Sequence, residues 1–313
     1  MRIGLDTYCY HIPLAAGAYD LFRLVDALPL MGIEGLQINI NGRNGRFLGA
    51  NPEDFKHVKR VKEAFHRRGL FIEVGGRSTL PDMIEWELDL CAGLGADTLR
   101  TTVTLKDTME ETFEAARHDL MAVMPRAHEL GVRIALENHE DLTASELVSI
   151  IEAIDDNHVG VCLDTGNGLC VYEDPVETAM VLAPYAISSH IKDQRLVQVD
   201  RVIYSVGVRL GRGIIDLPRI IDIILERTVL DRLLIQDTTG YGVCLNPFNR
   251  KLDTTNPFVD VPEMTRQGLW EENLLLSIDG LGREELESLA RTQLVNIEED
   301  IAYLRRILGD KTP

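Results

Sequence analysis

Three polar residues end three successive apolar runs of the chain at nearly equal spacing. The run RIALENHED presents Glu137, VGVCLDTGN presents Asp164 and AISSHIKDQ presents His190. If each run is a strand of one parallel sheet, these side chains lie side by side at the same edge. Two carboxylates and one imidazole suit a divalent ion such as Mn²⁺, Mg²⁺, Co²⁺ or Zn²⁺. The sequence therefore predicts one bound divalent metal ion, with Mn²⁺ favoured.

A fourth candidate ligand follows in the next apolar run. RLLIQDT places Gln236 at the equivalent position, with Asp237 beside it. The amide oxygen of Gln236 can serve as a neutral ligand, so that two carboxylates balance the charge of one divalent cation. One coordination position would then remain open for substrate.

Two further residues share strand faces with these candidates. His139 comes two residues after Glu137, and Lys192 comes two residues after His190. His139 can contact substrate or only hydrogen-bond a backbone carbonyl. Lys192 can stabilise an oxyanion or pair with a neighbouring carboxylate. We expect His139 and Lys192 to be the catalytic residues.

Three residues are candidates for substrate binding. Glu73 and Arg100, on earlier strands, could reach the pocket, although packing inside the barrel explains them equally well. Arg209, in the segment GVRLGRG, is available for a substrate carboxylate, with a plain tight turn as the alternative. The histidines of helical segments are expected to be solvated or packed: His57, His66, His118 and His128.

The scaffold for these residues is predicted from alternating apolar runs and segments of helical spacing. Such alternation is typical of a parallel sheet covered by crossover helices. The predicted strands are residues 2–7, 33–40, 70–75, 98–104, 132–138, 159–164, 187–192 and 232–237. Eight units in one α/β chain predict a (β/α)8 TIM barrel as a single domain, 1–313. A doubly wound sheet is the rival, but the first strand lacks a following glycine-rich turn.

Capping signals and one irregular stretch complete the predicted architecture. Asn51-Pro52 predicts the start of one helix, Thr143 begins a capping box, and Asp174-Pro175 predicts another start. Residues 239–282 follow the eighth strand, with poor periodicity and several Gly, Pro and Asn. Long loops in compact domains are usually functional. We expect 239–282 to be an insertion that covers the mouth of the active site.

The charge balance restricts the partners of the protein. The chain has 50 Asp and Glu against 32 Lys and Arg, which gives a formal net charge of -18. An acidic surface repels phosphate backbones and anionic lipid, so no nucleic-acid or membrane partner is expected. Homo-oligomerisation stays open. The N-terminus lacks the pattern of a signal peptide and no apolar run approaches ~18 residues, so a cytoplasmic location is expected.

The ordered segments LENHED, CLDTGN, HIKD and GVRLGRGIIDL resemble the xylose isomerase-like TIM-barrel superfamily of sugar isomerases, epimerases, dehydratases and related enzymes. The resemblance implies that Glu137, Asp164 and His190 are metal ligands. It also implies that His139 and Lys192 lie close to the substrate. The fourth ligand of the family is commonly Glu, whereas this chain has Gln at position 236. In the epimerases of this group two metal-bound glutamates exchange a proton on opposite faces of the sugar, so one of those bases is missing here.

The resemblance and the donor set together predict the class of reaction. A divalent ion chelated by adjacent oxygens of a sugar or keto acid stabilises an enediolate, which isomerisation, epimerisation, dehydration and decarboxylation share. Decarboxylation requires only an electron sink and one proton donor, so Gln236 favours it. The chain is also similar to the 3-oxo-isoapionate decarboxylase type, which implies a metal-dependent carboxy-lyase of carbohydrate metabolism acting on a keto sugar acid. A sugar or keto-sugar isomerase or epimerase is the alternative.

Two functions of other classes stay open. The superfamily also contains apurinic-site endonucleases with a trinuclear zinc cluster and a basic DNA groove, which the charge of -18 disfavours. A barrel that only binds a sugar or regulates a partner is compatible with the fold. Bound or bindable divalent metal would distinguish an enzyme from such a binding module.

Overall fold

The structure is a computed structural model that describes residues 1–40, 45–252, 256–272 and 274–309. Its strands are β1 Arg2–Asp6, β2 Gly35–Asn39, β3 Phe71–Gly75, β4 Thr98–Thr101, β5 Arg133–Glu137, β6 Val159–Asp164, β7 Ala186–His190, β8 Asp193–Val199, β9 Val202–Val208, β10 Arg232–Ile235 and β11 Gly242–Cys244. Its α-helices are α1 His11–Ala15, α2 Leu21–Ala27, α3 Phe55–His66, α4 Pro81–Leu94, α5 Met109–Leu130, α6 Ala144–Ile154, α7 Pro175–Leu182, α8 Leu217–Arg227, α9 Arg266–Glu271 and α10 Arg283–Gly309. Within the described ranges, none of the helices is long and apolar enough to cross a membrane.

Eight strands form one parallel sheet that curls into a barrel. Their order is β10-β1-β2-β3-β4-β5-β6-β7. Ile191, directly after β7, joins the two ends of the sheet. Its amide donates to the Leu234 carbonyl at 2.7 Å, and its own carbonyl accepts from the Gln236 amide at 3.0 Å. Each of the eight predicted strands coincides with one of these strands, so the (β/α)8 TIM-barrel prediction is confirmed and the doubly wound alternative is wrong.

The strands and helices follow from local chemistry. Barrel strands are buried on both faces because helices cover the outside, and every residue of β2 and β6 is buried. Thr143 begins the predicted capping box of α6, and Asp174 caps α7 as predicted. The start of α3 differs, because Asp54 and not Asn51 is the N-cap. The Asp54 carboxylate accepts from two backbone amides of the first turn, which otherwise lack partners.

The strands β8 and β9 lie between β7 and α8 in the chain, and with β11, which follows β10, they form a three-stranded antiparallel sheet. None of these strands is among the predicted ones. β8 and β9 pair along their whole length and are joined by Asp200 and Arg201, whose φ angles are 50° and 67°. Two-residue turns of this kind usually contain Asn or Gly, and the pair Asp200-Arg201 contains neither, so the turn itself could not be predicted. The alternating apolar residues in 196–206 were the available signal.

The stretch 239–282 contains β11 and α9. β11 pairs with β9, and the Gly242 amide donates to the Leu276 carbonyl at 3.0 Å, so distant parts of the stretch meet beside the hairpin. Residues 253–255 and 273 of this stretch lie outside the described residues. Both its role as a cover over the mouth and the single-domain boundary stay predictions.

An aromatic ring fills the N-terminal end of the barrel. Phe71 packs over the backbone of Gly4 and Gly35, and a Cβ atom at Gly35 would lie 2.3 Å from the Phe71 ring. The guanidinium groups of Arg2 and Arg232 lie 4.9 and 4.7 Å from the ring centroid. Cation–π contacts of this kind hold the ring in place. The two glycines are therefore required by the close approach of an aromatic side chain.

We expect Gly35→Ala to lower the free energy of unfolding by about 1–3 kcal/mol, because the added methyl group overlaps the Phe71 ring. Urea denaturation measures this change. Gly309→Ala is the control, since in the described ranges nothing outside its own helix lies within 4 Å of a Cβ at that position. Equal stability of the two variants would contradict the close packing of Phe71.

Candidate active and metal site

The ends of β5, β6 and β7 bring the three predicted metal ligands together. His190 Nδ1 lies 2.6 Å from Glu137 Oε1 and 3.7 Å from Asp164 Oδ2. Gln236 Nε2 lies 3.3 Å from the same nitrogen. Gln236 thus turns its amide nitrogen toward the cluster, and the predicted ligand role requires the amide to rotate by about 180°. All four side chains are buried.

Two carboxylate oxygens of this cluster have no hydrogen-bond partner in the described part of the chain. They are Glu137 Oε2 and Asp164 Oδ2, both buried. Arg100 Nε approaches the first at 3.5 Å and Lys192 Nζ approaches the second at 3.2 Å, at ion-pair distance but without hydrogen-bond geometry. Burying carboxylate oxygens without partners is unfavourable, and one divalent cation would satisfy both. The donor set therefore fits a divalent metal ion.

A thiol that the sequence did not identify also lies in this cluster. Glu137, Cys162 and His190 offer ligand atoms within 4.8 Å of one another. Burial raises the pKa of the Cys162 thiol, which disfavours the thiolate. Burial also acts to raise the pKa of Glu137, but Arg100 and His190 outweigh it and hold that pKa well below its usual value. Glu137 is therefore the ionised carboxylate of this trio near neutral pH.

A chain of buried hydrogen bonds crosses the barrel and fixes the ring of His190. Arg232 Nε donates to Glu73 Oε1 at 2.7 Å, and Gln37 Nε2 donates to Glu73 Oε2 at 3.0 Å. Gln37 Oε1 then lies 2.9 Å from His190 Nε2. Because the amide nitrogen of Gln37 donates to the carboxylate of Glu73, the amide oxygen of Gln37 faces the His190 ring and accepts the hydrogen on Nε2. This leaves Nδ1 directed at the carboxylates, in position to bind a metal.

Asp164 is oriented by groups that follow the neighbouring strand ends. The Asn138 side chain accepts from the Asp164 amide at 2.8 Å and donates to the Asp164 carbonyl at 2.9 Å. The amides of Gly166 and Asn167 donate to Asp164 Oδ1 at 2.8 and 2.9 Å. With Oδ1 held by the backbone, Oδ2 is the oxygen presented to the cluster. The segments LENHED and CLDTGN thus supply both a predicted ligand and the hydrogen bonds that orient it.

A cavity opens beside this cluster at the C-terminal end of the barrel. Its lining comprises Tyr8, Asn39, Arg77, Arg100, Glu137, His139, Glu140, Asn167, Lys192, Gln236, Thr238 and Tyr241. The predicted residues Arg100, His139 and Lys192 are therefore at the site. Lys192 Nζ donates to Asn167 Oδ1 at 2.6 Å, and the side chain of His139 remains 20% exposed. His139 is thus accessible to a ligand in the cavity.

Two predicted substrate-binding residues, Glu73 and Arg209, lie away from this cavity and are occupied by other partners. Glu73 is fully buried inside the barrel, where Arg232 and Gln37 occupy its carboxylate. Arg209 forms an ion pair with Glu299 of α10. For Glu73, the position along a strand does not tell which interior layer the side chain occupies. For Arg209, the partner Glu299 is distant in sequence, so no local pattern indicates the ion pair. Neither residue is part of the cavity lining.

The cavity also contains residues that the sequence analysis did not assign to the site. Arg77 is exposed and follows β3 after Gly76. A charged residue just past a strand end was the available signal, by the same criterion that identified Glu137. Tyr241 belongs to the stretch 239–282, and its hydroxyl donates to Glu140 Oε1 at 2.8 Å. No spacing pattern could identify Tyr241, because it lies in an irregular segment.

Comparisons with known proteins agree with this architecture. The family described as Xylose isomerase-like TIM barrel matches residues 25–239. A curated relative, 3-oxo-isoapionate decarboxylase of Pectobacterium atrosepticum, is 28% identical over 222 residues. This similarity covers 69% of the chain and 78% of the relative.

Solved structures share the fold at low sequence identity. A D-psicose 3-epimerase structure determined in the presence of D-fructose has a TM-score of 0.63 at 12% identity, covering 99% of this chain and 100% of that one. The IOLI protein with a binding zinc atom has a TM-score of 0.59 at 15% identity, covering 96% of this chain and 99% of that one. At such identities the likeness establishes the fold alone.

We expect Glu137→Gln to remove bound divalent metal, because it eliminates one of the ionised ligands. Elemental analysis after dialysis measures the metal content. Glu140→Gln is the matched control, since Glu140 lines the same cavity but accepts a hydrogen bond from Tyr241. The control should retain its metal. Metal content that is equal in both variants would contradict the site.

We expect Gln37→Met to weaken the affinity for metal roughly 10–100-fold, because the tautomer of His190 is no longer fixed. Competition with a fluorescent chelator measures this affinity. Ser189→Ala is the control, because the Ser189 hydroxyl is buried and has no hydrogen-bond partner in the described ranges. An affinity unaffected by Gln37→Met would show that the buried chain does not act on His190.

Proposed function

The chain belongs to the xylose isomerase-like TIM barrel family, and on this basis we propose that it is a divalent-metal-dependent decarboxylase of a keto sugar acid. In this proposal Glu137, Asp164 and His190 hold the metal, and the amide oxygen of Gln236 completes the set. The catalytic residues are His139 and Lys192. Mn²⁺ is favoured, with Mg²⁺, Co²⁺ and Zn²⁺ as alternatives.

The observation that carries the proposal is the set of three cationic side chains in the cavity wall of an acidic protein, where the lining contains two carboxylates, Glu137 and Glu140. Arg77, Arg100 and Lys192 all line this cavity, in a chain of net charge -18. Arg100 and Lys192 approach the carboxylates of the metal cluster. Arg77 is exposed beside them, and a guanidinium group can bind a carboxylate through two hydrogen bonds. This arrangement supports an acidic sugar derivative over a neutral sugar.

Two of the similar proteins support parts of the proposal. The curated relative is named as a decarboxylase of 3-oxo-isoapionate, which supports both the reaction and an acidic substrate of that type. The zinc atom in the IOLI structure supports a divalent metal in this fold. A small carbohydrate or sugar-acid substrate is consistent with the name of this relative and with a divalent metal in the site.

The residues divide the proposed reaction among them. A divalent ion in the site would supply a Lewis acid for the keto oxygen of the substrate. Arg77 binds the substrate carboxylate and orients the bond to be broken. As CO₂ leaves, the electron pair of that bond moves toward the keto group, beside Lys192. Burial acts to lower the pKa of Lys192, but Asp164 and Glu137 outweigh it and raise the pKa, so the ammonium stays charged and stabilises the oxyanion. His139 then donates a proton to the carbon that lost CO₂.

A sugar or keto-sugar isomerase or epimerase is the second candidate, and Glu140 is the residue that favours it. Glu140 lines the cavity, and its Oε2 lies 3.9 Å from His139 Nδ1. It could therefore act as the second base that Gln236 cannot provide. Asp237 is less suitable, because its carboxylate accepts hydrogen bonds from Gln293 and Thr239.

We expect CO₂ release from at least one member of a panel of keto sugar acids, with activity lost on chelation of the metal. In D₂O the product should carry one solvent deuteron at the carbon that lost CO₂. Mass spectrometry measures the release of CO₂ and the number of deuterons in the product, and NMR locates the deuteron. A product that exchanges deuterium but keeps its carboxylate would favour the isomerase or epimerase and contradict the decarboxylase.

The role of the cavity arginine is tested in the same assay. We expect Arg77→Gln to raise KM about tenfold or more with a smaller effect on kcat, because it removes carboxylate binding. Arg212→Gln, which changes an exposed arginine outside the cavity lining, is the matched control. Equal KM values for the two variants would remove Arg77 from substrate binding.

A further inference from the structure

Two histidines and one aspartate form a cluster at the end of the barrel opposite the cavity. His128 lies in the last turn of α5, two residues before that helix ends. Asp156 and His158 lie in the loop between α6 and β6. Both segments lead into the N-terminal ends of barrel strands, whereas the cavity lies at their C-terminal ends. The cluster is therefore separate from the proposed active site.

The three side chains are close enough to share one ion. His128 Nε2 lies 3.0 and 2.9 Å from the two carboxylate oxygens of Asp156. The ring centroids of His128 and His158 are 3.9 Å apart at an angle of 46°. One ligand atom from each residue lies within 4.8 Å of the others. Ligand atoms of a tetrahedral Zn²⁺ ion, at about 2.0–2.2 Å from the metal, lie about 3.3–3.6 Å apart, so side-chain rotations that bring these atoms closer by about 1 Å would complete the site.

Neighbouring groups hold two of these side chains in place. Asp156 Oδ1 accepts from the His158 backbone amide at 2.8 Å, which fixes the carboxylate over the loop. Asn157 Oδ1 lies 2.9 Å from His158 Nδ1 and accepts its hydrogen. The other ring nitrogen of His158 then carries the lone pair that a metal requires. Support of this kind for a ligating histidine is typical of metal sites in proteins.

A simple ion pair does not account for the whole arrangement. Pairing with Asp156 requires only one histidine, and His128 already fulfils that role. A second imidazole against the first adds repulsion whenever both are protonated. A shared divalent cation would instead give both neutral rings and the carboxylate a common partner.

We propose that His128, Asp156 and His158 form a second metal site that binds Zn²⁺, with water in the remaining coordination position. Two imidazoles and one carboxylate are a softer donor set than the carboxylate-rich cluster beneath the cavity, so this site prefers Zn²⁺ to Mn²⁺ or Mg²⁺. The bound ion links the end of α5 to the loop that begins β6. Residues at this face of a TIM barrel serve stability, so the site strengthens the fold independently of the reaction.

Titration of the full chain with Zn²⁺ against a chromophoric chelator tests the proposal. We expect the surface site to bind Zn²⁺ at least tenfold more weakly in His128→Ala and in His158→Ala than in the unaltered chain. His118→Ala is the matched control, because His118 is on the same helix and its ring nitrogen lies 3.1 Å from Asp119, as in an ordinary histidine–aspartate pair. The control should bind Zn²⁺ as the unaltered chain does. Unchanged zinc binding in both test variants would overturn the proposal.

A second measurement separates this site from the one beneath the cavity. In Glu137→Gln, which removes a ligand of the cavity cluster, Zn²⁺ should still bind. It should also shift the ring-proton NMR signals of His128 and His158 while leaving those of His118 in place. A Glu137→Gln chain whose His128 and His158 signals do not respond to Zn²⁺ would overturn the surface site, whatever the outcome for the proposed decarboxylase. This readout uses the native surface residues, so it does not depend on the folding of the surface variants.

Discussion

The convergence of two buried carboxylates on one imidazole is the constraint on which this site depends. Glu137 and Asp164 each contribute an oxygen that lacks a hydrogen-bond partner among the described residues, and each carboxylate group approaches the ring of His190. Like charges removed from water repel each other and persist only where positive charge compensates them. Arg100 and Lys192 supply part of that charge from the cavity wall. The centre of the cluster is therefore suited to a cation.

The closed ring of strands makes this unfavourable arrangement rigid. Arg232, Glu73, Gln37 and His190 belong to β10, β3, β2 and β7, and their hydrogen bonds run through the barrel interior. The orientation of one metal-facing ring is thus set by residues that never meet the cavity. In an open sheet these strands would not face one another across a common interior. The chain of hydrogen bonds from Arg232 to His190 therefore requires a barrel.

Regular spacing made the strand ends predictable, and with them the convergence of Glu137, Asp164 and His190, because each βα unit presents one of these side chains at the same edge. Glu73 lies away from the cavity because its partner, Arg232, is on a distant strand and holds the carboxylate in a deeper layer of the interior. The same holds for Arg209, whose partner is on α10. The hairpin of β8 and β9 went unpredicted since Asp200 and Arg201 form its turn without the usual Asn or Gly. Local patterns therefore identified the ring of strands and the side chains that meet at its edge, whereas contacts between distant segments decided the rest.

β11 is hydrogen-bonded to β9 within a sheet distinct from the eight-stranded ring. Tyr241, next to β11, contributes to the cavity wall, while the carboxylates and the imidazole are rooted in the ring itself. The part of the cavity wall that contains Tyr241 and the cluster of carboxylates and imidazole thus have separate supports. Mutations and length changes in the outer sheet can reshape the binding surface and leave the reactive groups where they are. Such a division lets descendants of one barrel acquire new substrates during evolution without rebuilding their reactive centre.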